Sequence, residues 1–253
     1  MTTVKDILLF LEAIAPEELK MEWDNVGLLC GRKDKEVHTV LVALDPFAHV
    51  CREAVETGAD LLLTHHPLIF TPLTEVTDKT GVGQSLLTLI ANDISAVNAH
   101  TNLDCAAGGV NDTLAEVLGL TEVSVIGSEN LLRAGRFESA LPAFLEHIKT
   151  KLGCQGLRYV DGGKPVSRVA VGGGSCASAL EEVAAAGCDT FVTADVKYNQ
   201  FWDAKQLGIN LIDAGHFWTE NPVIPVLAAK LQAQFPNVAV KISQTHGDCM
   251  KYY

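Results

Sequence analysis

Residues 40–42 (VLV) and 169–171 (VAV) lie 129 positions apart, and the chain around them repeats itself. At that offset EAVETGADLLLTHH (53–66) lies over EVAAAGCDTFVTAD (182–195), so Glu53 meets Glu182, Gly58 meets Gly187, Asp60 meets Asp189 and Thr64 meets Thr193. Unrelated βαβ units would rarely keep a helix, its closing glycine, an aspartate and a strand-ending threonine in one order. The repeat therefore reads as an internal duplication, and it predicts two similar halves. It continues at a shorter spacing: NDISAVNAHTNLD (92–104) lies over LGINLIDAGHFWTE (207–220), with Ile94 on Ile209 and His100 within one residue of His216. Each of these histidines has a carboxylate four positions later, Asp104 in the first copy and Glu220 in the second.

Within a copy, apolar β-branched runs alternate with helical patterns. Residues 37–44, 60–65 and 94–99 read as strands, and 47–57 and 84–92 as helices. Gly58 and Asn92 mark breaks between them. This alternation predicts an α/β fold whose strands are largely buried on both faces. The opening MTTVKDILLFLEAIAPEELK carries one early cation, and Glu12 interrupts its apolar run, so it reads as an amphipathic helix and not as a signal peptide. No apolar run approaches the roughly 18 residues that span a bilayer. Residues 121–165 look less regular, with a helix expected over 141–153 and a turn in YVDGGKP (159–165). The expected organisation is an N-terminal α/β lobe (1–125), a bridging segment (126–165) and a C-terminal α/β lobe (166–253), packed as one compact unit.

The net charge of −12 argues against nucleic-acid binding, which needs clustered Lys and Arg, and suits cation binding. Seven cysteines are scattered without a CxxC pair, which reads as reduced thiols in a cytoplasmic protein.

Open α/β sheets gather ligands at the carboxyl ends of their strands. His65 and His66 end one predicted strand, His100 and Asp104 follow another, and His216 and Glu220 follow its counterpart in the second half. Facing halves would bring these six side chains together. Imidazole nitrogen with carboxylate oxygen suits Zn, Fe, Mn or Ni better than Ca or Mg. Adjacent side chains on an extended chain point to opposite faces, so two ions, bridged by a carboxylate and a water, would let both His65 and His66 serve as ligands. Each piece alone has a plainer explanation: packing for the histidine pair, an aspartate orienting an imidazole for His100 and Asp104, and a helix start at Thr219 and Glu220. The duplicated placement is what favours a metal site. GGGSCASAL (172–180) is a glycine-rich turn that could cradle a phosphate, although it lacks the P-loop lysine. Trp202, Phe217 and Trp218 read as core or as a pocket wall, and His38, His49, His147 and His246 as solvated.

Four ordered motifs, WDNVGLLCG (23–31), LLLTHHPLIF (61–70), NAHTNLDCAAGGVND (98–112) and DAGHFWTE (213–220), resemble the GTP cyclohydrolase I type 2 homologue family, also called the NIF-three-like family. The resemblance implies two interlocked α/β lobes, sheets flanked by helices, with a dinuclear metal site between them and a toroidal homohexamer. It maps the ligands of two divalent ions onto His65, His66, Asp104, His216 and Glu220, and sets His100 beside them as a catalytic residue that orients a water or a ligand, or moves a proton. A small-molecule substrate is then expected, with a dinuclear metal-dependent hydrolase, GTP cyclohydrolase-like or acting on another nucleotide or phosphoester, as the leading reading. A metal-binding scaffold or regulatory protein without turnover is the alternative.

Overall fold

A computed structural model describes residues Met1–Tyr253. Its strands, numbered in chain order, are β1 (Gly27–Cys30), β2 (Thr39–Ala43), β3 (Leu61–Thr64), β4 (Ser95–Asn98), β5 (Thr121–Ile126), β6 (Leu132–Ser139), β7 (Arg158–Val160), β8 (Val166–Val171), β9 (Thr190–Thr193), β10 (Asn210–Asp213) and β11 (Ala239–Ile242). They form two sheets, with orders β1-β4-β3-β2-β11 and β5-β6-β8-β9-β10-β7. The chain divides into two compact units, Met1–Ala107 with Ile224–Gly247, and Gly108–Val223 with Asp248–Tyr253. Each unit thus takes a second segment from late in the chain.

The duplication is visible strand by strand. β2, β3 and β4 run parallel in the first sheet, as β8, β9 and β10 do in the second, and an antiparallel strand flanks the third of each set, β1 on β4 and β7 on β10. The repeated aspartates do the same work in each copy. Asp60 Oδ2 accepts from the N–H groups of His38 and Thr39 at 2.8 and 2.9 Å, and Asp189 Oδ2 from those of Ser167 and Arg168 at 3.1 and 2.8 Å. Backbone donors at the start of β2 and of β8 are thereby given acceptors.

Successive side chains face opposite sides of the sheet, and both sides are buried. In the first sheet Leu41, Leu62 and Ala96 pack on Val50, Cys51 and Ala54 of helix Ala48–Glu56 and on Leu86 and Leu89 of helix Gly81–Ala91. Val40, Val42, Leu61, Leu63 and Val97, on the opposite face, are buried as well. In the second unit Val169, Val171, Val192 and Ile212 face Phe144 and Ile148 of helix Leu141–Leu152. Ala170, Phe191 and Leu211 face Leu180, Val183 and Ala204 on the other side. Helices therefore cover both faces of this sheet, the arrangement expected for strands buried on both sides.

Two parts of the fold differ from the sequence expectation. Residues 121–165, which look irregular, carry the expected helix, at Leu141–Leu152, but also three strands, β5, β6 and β7, all in the second unit. β5 is largely exposed. The last strand, β11, does not extend the second sheet. It pairs in parallel with β2 at the edge of the first, Val240 opposite Val40.

The segment after β11 is fastened by Glu53, whose carboxylate accepts from Gln244 N and Thr245 Oγ1, each at 2.7 Å, and from Ser243 Oγ. Burial alone would raise this carboxyl, but the hydrogen bonds from Gln244, Ser243 and Thr245 outweigh it and hold the group below 4.5. A depressed folded value means that Glu53 contributes stability above the ordinary glutamate range and loses it as pH falls through the folded value. The stability gap between the native chain and Glu53→Gln should be full at neutral pH and close as the pH drops below 4.5. Urea unfolding across the acid range measures it, and a gap independent of pH would refute the assignment.

Candidate metal centre

The carboxyl ends of the parallel strands hold the chemistry, as the loops there leave room for it. In the first unit β3 ends at Thr64, and the chain bends through His65 and His66. The alternation of an extended strand therefore does not govern the pair, and the expectation that they face opposite ways fails: their ring centroids are 4.9 Å apart. His100, just beyond β4, adds a third ring, 5.2 Å from His65 and 5.4 Å from His66. One nitrogen from each of the three lies within 4.8 Å of the others, a group that could hold a metal ion. Asp104, one helical turn after His100, brings Oδ1 to 3.4 Å from His65 Nε2.

In the second unit the short helix His216–Glu220 sets an imidazole and a carboxylate four residues apart on one face. His216 Nε2 lies 3.0 Å from Glu220 Oε2. Gly174 makes room for them, because a Cβ there would come within 2.0 Å of Glu220 Oε1 and 3.1 Å of His216 Nε2. This is the use of the glycine-rich turn. Its N–H groups are committed within the protein: Gly172 to Val192 O, Gly173 to Asn111 Oδ1 and Gly174 to Thr219 Oγ1. The phosphate cradle that GGGSCASAL could have offered is therefore not formed by these donors.

All four imidazoles are tethered in the same sense. Nδ1 of His65 meets Ala99 O at 2.9 Å, that of His66 meets Asp45 at 2.7 Å, that of His100 meets Asp24 at 2.8 Å and that of His216 meets Asp195 at 2.7 Å. An acceptor at Nδ1 keeps the proton there and makes Nε2 the nitrogen with the lone pair. That is how metal-ligating histidines are oriented and made more basic. The donor set thus fits divalent transition-metal ions.

Two of the tethering carboxylates, Asp24 and Asp45, are held well below the usual range. Burial, the largest single influence on Asp24, would raise it, but hydrogen bonds from His100 and Thr101 together prevail. At Asp45 burial is likewise overcome by hydrogen bonds from His246 and His66. Asp24, Asp45 and Asp195 did not emerge from the sequence, although the repeat offers a signal for one of them. Asp195 stands where the other copy has His66, and that aligned position was open to question. His246 corrects the expectation that it is solvated: its side chain is 5% exposed, and Nε2 lies 2.9 Å from Asp45 Oδ2. His147 is also drawn in, with Nε2 2.9 Å from Leu118 O, whereas His38 is exposed as expected. Trp202 is exposed and not core, while Trp218 packs against the second unit's core.

Two α/β units, each with imidazole and carboxylate groups at the ends of its parallel strands, define a class of α/β protein whose side chains there could hold a metal ion. The chain belongs to the Duf34/NIF3 (NGG1p interacting factor 3) family, whose model matches residues 2–248. A GTP cyclohydrolase 1 type 2 homolog of Clostridium perfringens is 37% identical over 240 residues, covering 90% of this chain and 91% of that protein. Among solved structures, the Bacillus cereus protein related to NIF3 matches with a TM-score of 0.94 at 26% identity, covering 100% of this chain and 99% of that one. Staphylococcus aureus protein SA1388 matches with a TM-score of 0.92 at 29% identity and the same coverage. No helix is long and apolar enough to cross a membrane.

Proposed function

We propose that His65, His66 and Asp104 of the first unit and His216 and Glu220 of the second hold two divalent transition-metal ions per chain, and that the chain is a metal-dependent hydrolase. The observation that carries this reading is the common tethering of four imidazoles through Nδ1, which costs the fold two buried or half-buried carboxylates in the first unit alone. Such ions, when bound, supply Lewis acidity that acidifies water and polarises the bond under attack. His100 is the proton carrier. With Nδ1 held by Asp24, its Nε2 would take a proton from the attacking water and return it to the leaving group.

The substrate proposed is a small molecule with a heteroaromatic ring, a nucleotide in keeping with the relatives' name. Trp23 and Phe70 favour it. They are 61% and 51% exposed, sit 5.7 Å apart and each lie 6.2 Å from His100. Their loops are joined by a hydrogen bond from Asn25 Nδ2 to Ile69 O at 2.6 Å, so this apolar surface is presented in a set position. Stacking on such a platform is worth roughly 1–3 kcal/mol per base.

Elemental analysis of chelator-free protein should find transition metal, and the loaded protein should hydrolyse a nucleotide in a screen that includes GTP. Trp23→Ala should then weaken nucleotide binding by roughly 5–150-fold, the equivalent of that stacking energy. No uptake of Zn, Mn or Fe would defeat the metal reading.

A scaffold or regulatory role is the second reading, favoured by the family's own description as an interacting factor. Metal whose removal lowers stability, with no turnover, would select it. A cytoplasmic location goes with the seven free cysteines, and a toroidal homohexamer with the family resemblance; light scattering measures the latter.

A further inference from the structure

Strand order sets a second line of side chains behind His66. β3, β2 and β11 are neighbours, all parallel, so their carboxyl ends lie side by side. His66 follows β3, Asp45 follows β2 and His246 follows β11. The Asp45 carboxylate lies between the two imidazoles: Oδ1 accepts from His66 Nδ1 at 2.7 Å, and Oδ2 lies 2.9 Å from His246 Nε2. His246 is nearly as buried as core, with its ring 6.0 Å from those of Phe47 and His49.

The segment that carries His246 is not loose. Ser243 N donates to Val42 O at 2.9 Å, Glu53 grips Gln244 and Thr245, and His246 N donates to Ser243 Oγ at 3.2 Å. A histidine held from both sides in this way can fix a carboxylate that would otherwise rotate. An aspartate with two oxygens in use has one orientation, and His66 inherits it.

We propose that His246 is a positioning residue for His66: through Asp45 it fixes the His66 ring, and so the segment after β11 forms part of the metal site's support. The metal arm of its test rests on the reading of His66 as a ligand; the ring arm does not.

Two variants of the full chain decide it. His246→Ala removes the donor to Asp45, whereas His246→Gln places an amide nitrogen near the position of Nε2. In the metal-free protein, histidine ring ¹H–¹⁵N spectra should show His66 protonated at Nδ1, with its proton exchanging faster in His246→Ala and slowed again in His246→Gln. Competition with a chromophoric chelator should show zinc bound roughly 10–100-fold more weakly by the alanine variant, as for other residues that orient a ligand. The glutamine variant should recover most of the loss.

Unchanged His66 ring signals in His246→Ala would overturn the proposal. So would equal losses of zinc in both variants alongside equal falls in metal-free melting temperature, which assign His246 to structure alone. If the native chain takes up no zinc, the proposed function fails, and the ring spectra of the metal-free protein still decide the role of His246.

Discussion

The double variant His65→Ala with His216→Ala is expected to lose its bound metal while keeping both sheets. The two substitutions remove one imidazole from each half of the proposed centre. Changing a residue that merely orients a ligand already costs roughly 10–100-fold in affinity, so losing two ligands should exceed that range. The fold should survive because neither residue belongs to the apolar cores: His65 lies in the bend after β3, and His216 opens a five-residue helix. The structural cost includes the His65 Nδ1 hydrogen bond to Ala99 O, about 1–3 kcal/mol if that carbonyl is left unpaired, and the His216 contact with Asp195. Metal per chain by elemental analysis, alongside circular dichroism, measures both halves of the prediction. Unchanged metal content would sink the site assignment.

The largest stability effect is expected from Phe191→Ala. Phe191 is fully buried at the centre of β9, packed among Ala170, Leu180, Val183, Ala204 and Leu211. These neighbours come from strands on either side and from helices above, all themselves fixed, so the space left by the ring cannot collapse fully. The expected loss is about 3–5 kcal/mol, the usual range for a buried phenylalanine. At roughly 2–4 °C per kcal/mol for a chain near this size, the melting temperature should fall on the order of 10 °C. Trp202→Ala is the contrast, since that ring is 56% exposed and its loss should stay within about 0.5 kcal/mol. Equal effects from the two substitutions would contradict the packing described for the second unit.

Much of the candidate site was readable because the duplication repeats it. His100 with Asp104, and His216 with Glu220, stand at matching places after β4 and β10, and the spacing of four survives as a helical turn in both copies. The repeated Asp60 and Asp189 turned out to capture backbone donors, a purpose the alignment could not state. Glu53 and Glu182 show how a shared residue diverges. The first grips the segment after β11, and the second accepts from Ser128 N at 2.9 Å.

What the sequence by itself determined is the alternation of buried strands and helices, the two copies of it, and which histidines and carboxylates end the strands. These are local properties, written in period and spacing. Tertiary structure alone decided that β11 crosses to the edge beside β2, that Asp24, Asp45 and Asp195 become the partners of ring nitrogens, and that His246 comes to lie against Asp45. Asp24 lies 76 residues from His100. Its role has no local signature, because a hydrogen bond between loops is fixed by which strands become neighbours, and strand order is settled by packing the whole sheet.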